Sequence, residues 1–106
     1  MQFSLIYVTF ETNDNARQVA KYLLENRLIS CANIFPPIQS IYRWDNEVQE
    51  ESEVVAIFKT RAELFEQVSE RIKILHSYDV PCIVAIPIEQ ADEAFASWIT
   101  KQTVVL

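Results

Sequence analysis

The chain contains no glycine at all. Neither a glycine-rich phosphate loop nor a dinucleotide-binding fingerprint can therefore be built, since both need backbone that a Cβ would block. Left-handed turn positions must fall to Asn and Asp, which tolerate them best after glycine. Asn13 to Asn15, Asn26 and Asp45-Asn46 stand where the hydrophobic pattern breaks. Basic residues are also scarce: 9 Lys and Arg against 15 Asp and Glu give a net charge of −6. Phosphate neutralisation needs the opposite balance, so nucleic acid is not an expected partner. No long apolar run exists either. Val80 to Ile88 is the longest, is broken by two prolines, and is too short to span a bilayer. The start, Met1-Gln2-Phe3-Ser4, carries no basic leader, so a cytoplasmic location is expected.

There are two cysteines, Cys31 and Cys82, and one histidine, His76. The cysteine spacing fits no zinc or thioredoxin-like motif, and both cysteines lie in apolar, strand-like contexts. Buried, inert thiols are expected, with metal ligation or redox chemistry as the lesser alternatives. A lone histidine cannot supply a two-histidine metal site within one chain. Nor does it support a nucleophilic triad, because neither Ser77 nor Cys82 has an activating neighbour in sequence.

At 106 residues, residues 1–106 read as one domain, and 50% hydrophobic content is enough for a packed core. Phe3 to Phe10 is a strand with two apolar sets, Phe3/Leu5/Tyr7 and Ile6/Val8/Phe10. From Thr12 the period becomes helical, with Ala16, Val19, Ala20, Leu23 and Leu24 on one stripe and Thr12 or Asn13 as cap. An extended region from Ile29 to Trp44 is broken at Phe35-Pro36-Pro37. Asp45-Asn46 predicts a hairpin turn, and Glu47 to Thr60 the returning strand, with Val54 to Phe58 continuously apolar. Thr60-Arg61-Ala62-Glu63 matches a capping box and predicts a helix running to His76. Val80 to Ile88 is a further strand, Asp92 caps a helix bearing Ala94, Phe95, Trp98 and Ile99, and Thr103 to Leu106 is a candidate short strand.

The order β-α-β-β-α-β, followed by an extra helix, is an α+β arrangement of the ferredoxin-like kind. Two helices cover one face of such a sheet, yet several strands are apolar on both faces. Leaving about six medium apolar side chains wet would forgo on the order of 10 kcal/mol, which rivals a domain's net stability. Self-association is the expected remedy, with the last helix folding back over the open face as the alternative. RNA-binding domains share this strand order but need glycine and paired aromatics, which Glu53 to Phe58 does not offer.

Ser30-Cys31-Ala32-Asn33-Ile34, Ser40-Ile41-Tyr42-Arg43-Trp44, the acidic stretch Glu47 to Glu53, Lys59-Thr60, His76-Ser77-Tyr78-Asp79-Val80-Pro81 and Trp98 follow one another in a set order. In that order and spacing the chain resembles the CutA family of divalent-cation tolerance proteins, over roughly Ser4 to Ile99. The resemblance implies a homotrimer, a role in copper or other divalent metal response, and no defined catalytic activity. Three departures stand out: Ser77 replaces the usual proline, Asn46 replaces a common glycine, and Tyr7-Val8-Thr9 lacks the first-strand cysteine of some members.

Candidate site residues follow. Lys59, Tyr42, Trp44 and Glu51 are expected to line a cleft between subunits. Lys59 either binds an anionic ligand beside a helix N-terminus or pairs with Glu51 and Glu53. His76 with Asp79 could hold Cu(II) or another divalent cation at a subunit edge, unless His76 caps its helix. Tyr42 and Trp44 read as interface anchors, and Glu47, Glu50, Glu51 and Glu53 as a solvated acidic edge. No cofactor is required by this reading. A binding or regulatory trimer is expected first, an enzyme for a small anionic metabolite second, and an anchoring trimer third.

Overall fold

The computed structural model describes residues 1–105. The first strand, β1 (Phe3–Phe10), is followed by helix α1 (Asn13–Glu25) and two strands, β2 (Cys31–Ile34) and β3 (Ile38–Trp44). The long strand β4 (Glu47–Arg61) leads through a 3-10 turn (Ala62–Leu64) into helix α2 (Phe65–Leu75). Strand β5 (Ile83–Ile88) and helix α3 (Glu93–Gln102) complete the chain. The strands form one antiparallel sheet in the order β2-β4-β1-β5, with β3 paired to the far half of β4. This is the expected ferredoxin-like α+β fold with an added C-terminal helix.

One face of the sheet holds the core. Ile6, Val8 and Phe10 of β1 and Val54, Ala56 and Phe58 of β4 are buried against Ala16, Val19 and Leu23 of α1 and Val68 and Ile72 of α2. Register makes this possible: Ile6 lies opposite Phe58, Val8 opposite Ala56 and Phe10 opposite Val54, so one pleat of both strands points to the helices. The other pleat points away. Tyr7 of β1 lies between Ile57 of β4 and Val84 of β5, and Leu5 faces Ile86. Val84 and Ile86 stay 47% and 45% exposed. Helix α3 lies against β4 and covers one end of this open face, burying Ile99 and setting Phe95 over Lys59. The last helix thus takes one end of the face, as the alternative expected, and the rest of the face is left bare.

Helix ends follow the sequence with two exceptions. Thr12 Oγ1 accepts from the Asn15 N–H at 3.1 Å, and Asp92 Oδ2 from that of Phe95 at 3.2 Å. The capping box does not form. Thr60 stays in β4 and its hydroxyl donates to the buried Leu28 carbonyl at 2.6 Å, so α2 starts instead through the 3-10 turn. Of the left-handed positions, Asp45 and Asn46 take φ of 52° and 63° and close the hairpin as a two-residue turn. At the end of α1 the residue with positive φ is Arg27 (56°), not Asn26. The Arg27 N–H donates to Leu24 and the Leu28 N–H to Leu23, a Schellman closure that places Arg27 where glycine is usual.

Two boundaries move. Val80 to Cys82 precede β5 rather than opening it, and Thr103 to Val105 form no strand. The Val104 N–H instead donates to the Arg27 carbonyl; Leu106 lies outside the described residues.

The paired arms β3 and β4 extend beyond the layered body. The chain measures 44 × 26 × 22 Å, and its 14.3 Å radius of gyration exceeds the ~13 Å usual for this length. The tip is strained, since two residues with Cβ atoms hold left-handed backbone. Asn46→Gly is expected to raise unfolding stability by roughly 0.5–1 kcal/mol, read from the urea midpoint.

Candidate functional site

A groove of about 800 Å³ runs along the open-face side of the β3–β4 arm and under the segment that follows α2. Ile38 pairs with Glu53, Ser40 with Glu51 and Tyr42 with Gln49, so these residues share one face of the arm. Thr9 and Tyr7 extend that face into the sheet, and Ser77 to Val80 close the side. Its lining carries three carboxylates, Glu51, Glu53 and Asp79, and no Lys or Arg.

At the inner end, Glu53 is 8% exposed and its Oε2 accepts from the Tyr78 hydroxyl at 2.9 Å. Burial, then the bond to Glu53, raises the Tyr78 phenol's pKa well above its ordinary value. The hydrogen bond to Glu51 does the same for Tyr42, more weakly. Both phenols are therefore donors and not bases at neutral pH. Cys82 sits at the rim, exposed rather than buried as expected. Partial burial, then the charge of Glu53, raises its thiol pKa against an opposing hydrogen bond with Thr9. It stays protonated and is a poor nucleophile.

His76 lies behind the groove, buried in the helix-side core. Its ring stacks on Phe10 at 4.6 Å between centroids. Nδ1 accepts the Tyr78 N–H at 3.0 Å, so the proton sits on Nε2, which donates to the Thr9 carbonyl at 2.8 Å. Both nitrogens are committed. The expectation that His76 and Asp79 jointly present a metal site at an edge is corrected: the imidazole faces inward, while Asp79 alone reaches the groove. The helix-capping alternative is also only partly met, since it is the His76 backbone N–H that bonds the helix, to Ile72.

Lys59 is corrected as well. It lies six positions beyond Glu53 on β4, about 20 Å along the strand. Its Nζ donates to Asn33 Oδ1 at 2.9 Å and rests 5.6 Å from the Phe95 ring centre. It therefore pairs with neither Glu51 nor Glu53. Among the described residues the one ion pair is Arg61 with Glu63, at 3.0 Å.

Of the expected cleft and metal residues, the structure gathers Tyr42, Trp44, Glu51 and Asp79 in the groove lining and leaves out Lys59 and His76. Tyr78 is a site residue that sequence reasoning missed. Glu53 was expected in a solvated edge and instead forms a buried floor. The signal for Glu53 was parity: it shares its pleat with Val55 and Ile57. Among the described residues no three His, Cys, Asp or Glu side chains converge closely enough to hold one metal ion.

His76 also sets a pH dependence. Burial, partly offset by the Thr9 bond and by Glu53, lowers its pKa below the ordinary 6.5. The unfolded chain then binds the extra proton more readily than the folded one. Stability is expected to fall as pH drops below about 6.5 and to level off once the folded imidazole protonates. His76→Gln removes that slope, which urea midpoints of both proteins across pH 5 to 8 would show.

Comparison with known proteins agrees with this architecture. The family model for the CutA1 divalent ion tolerance protein matches residues 4–102. The divalent-cation tolerance protein CutA of Pyrococcus horikoshii is 41% identical over 99 residues, covering 93% of this chain and 96% of the relative. The crystal structure of CutA1 from Oryza sativa superposes with a TM-score of 0.95 at 32% identity, covering 98% of this chain and 95% of that one. A solved structure from Archaeoglobus fulgidus, described as a periplasmic divalent cation tolerance protein, gives 0.92 at 41% identity, covering 94% and 97%. The chain belongs to the CutA1 family of divalent ion tolerance proteins.

Proposed function

We propose that this chain is one subunit of a homotrimer that binds divalent cations, copper among them, in a response to metal ions, and that it is a binding protein and not an enzyme. The observation that carries the reading is the uncovered pleat of the sheet, with Val84 and Ile86 each nearly half exposed beside an acidic groove. A second copy laid on that pleat would withdraw about 1–2 kcal/mol of apolar surface per side chain from water. Three-fold closure is what the family resemblance implies.

Among the described residues one subunit assembles no metal centre, so in this reading the ion is shared, with Asp79 as this chain's donor and the remaining ligands from a neighbouring copy. The catalytic alternative has little to draw on. The one histidine is engaged at both nitrogens, and the rim thiol is held protonated.

Calorimetric titration with Cu(II) tests the reading. A fixed number of ions per trimer is expected for the wild type. Ile86→Glu should yield folded single subunits without stoichiometric binding, and Asp79→Asn an intact trimer that no longer saturates. Equal, non-saturating copper uptake by all three proteins would reduce the ion to decoration of an acidic surface.

A further inference from the structure

One wall of the groove is fastened by a histidine that can hold it in a single protonation state. The wall, Ser77 to Cys82, is neither helix nor strand, and none of its residues is buried. Three hydrogen bonds fix its first turn. The Ser77 N–H donates to Asn15 Oδ1 at 3.3 Å, the Tyr78 N–H to His76 Nδ1 at 3.0 Å, and the Tyr78 hydroxyl to Glu53 Oε2 at 2.9 Å. The imidazole that accepts the second bond is 9% exposed, stacks on Phe10, and donates from Nε2 to the Thr9 carbonyl.

A neutral imidazole accepts at one nitrogen, whereas the protonated ring donates from both. A proton on Nδ1 would set two N–H groups facing each other across the 3.0 Å contact. Turning the ring over offers no escape, because the charged ring presents an N–H on either side. Few charges stand near enough to compensate. Glu53 of β4 is the one charged group whose field reaches the ring. Glu11, just past β1, bears on Tyr78 instead. The Tyr78 phenol and the Cys82 thiol are neutral at pH 7, β1 offers Thr9 and Phe10, and α1 offers Asn15.

We infer that protonation of His76 unlatches this wall, so that the Tyr78 N–H bond is lost and the groove opens as the medium turns acidic. The opening is local because the segment has little packing to lose: Ser77 and Asp79 are exposed and Val80 is 70% exposed. Its direction follows from linkage. Burial outweighs the Thr9 bond and Glu53 and holds the folded imidazole below its ordinary pKa, so the open form binds the proton more readily and acid favours it. This goes beyond the divalent-cation reading and does not rest on it, since it is read on metal-free protein.

Amide hydrogen exchange of the full-length protein, corrected for intrinsic rates, tests the inference. Between about pH 7.5 and about pH 5.5 the opening of the Tyr78 amide should rise several-fold, with a ceiling of about tenfold set by an open-state pKa near 6.5. Urea well below the unfolding midpoint should hardly change that opening, because little surface is exposed. Amides of β1 and β4 should exchange far more slowly. His76→Gln should abolish the pH response. Glu53→Gln, which removes the carboxylate that steadies the charged ring in the closed form, should enlarge the response or leave it at its ceiling, and it reads the inference alone if His76→Gln does not fold. No rise in the wild type would overturn the inference, as would a response that survives His76→Gln or shrinks in Glu53→Gln. A Tyr78 amide that exchanges at the rate and with the urea dependence of the β1 and β4 amides would overturn it too, since the opening would then be global.

Discussion

The fifteen-residue strand β4 serves two structures at once, and the rest of the molecule is arranged around that double duty. Its second half is the centre of the sheet, flanked by β2 and β1, with Val54, Ala56 and Phe58 buried under the helices. Its first half leaves the body and pairs only with β3. Because a strand alternates strictly, the pleat that holds Val55 and Ile57 in the body becomes the pleat of Glu51 and Glu53 in the arm. One continuous surface therefore passes from apolar sheet to acidic groove, and Glu53 marks the change. Whatever covers the first also borders the second.

The segment after α2 is fastened to this surface through His76. Its imidazole is wedged between Phe10, the Thr9 carbonyl and the Tyr78 N–H, all of which restrict its orientation. Tyr78 then reaches across to Glu53. Asn15 secures the same corner from α1, donating to the Leu75 carbonyl and accepting the Ser77 N–H. Ser77, unlike a proline, has an N–H free to make the bond. The histidine thus acts as a structural rivet between the core and the groove wall. A metal ligand at this position would have had to give up one of those bonds.

Much of the fold was legible because it rests on local rules. Alternation in β1, the helical stripe from Ala16 to Leu23, the Asp45-Asn46 turn and the Asp92 cap all depend on neighbours a few residues apart. Failures came where a distant partner outbid the local one. Thr60 had the sequence of a capping residue, but the buried Leu28 carbonyl took its hydroxyl. Lys59 had acidic residues nearby in sequence, but strand geometry carried them about 20 Å away and left it with Asn33 and Phe95. His76 followed a helix and stood beside Asp79, yet its ring turned into the core. Side-chain direction after a helix is set by tertiary packing, which spacing alone does not encode. Glu53 was readable in part: its parity pointed to the apolar pleat, although its acidity suggested solvent.

In the proposed trimer the outward pleat of this sheet is an interface and not a finished surface. Helix α3 shelters one end, and Tyr7, Val84 and Ile86 are left without cover from the chain's own helices. Sedimentation velocity of the unmodified protein, followed from micromolar to nanomolar concentration, addresses this most directly. A single species of three times the chain mass, persisting on dilution, is the predicted result. A stable, folded species of one chain mass throughout the series would contradict it.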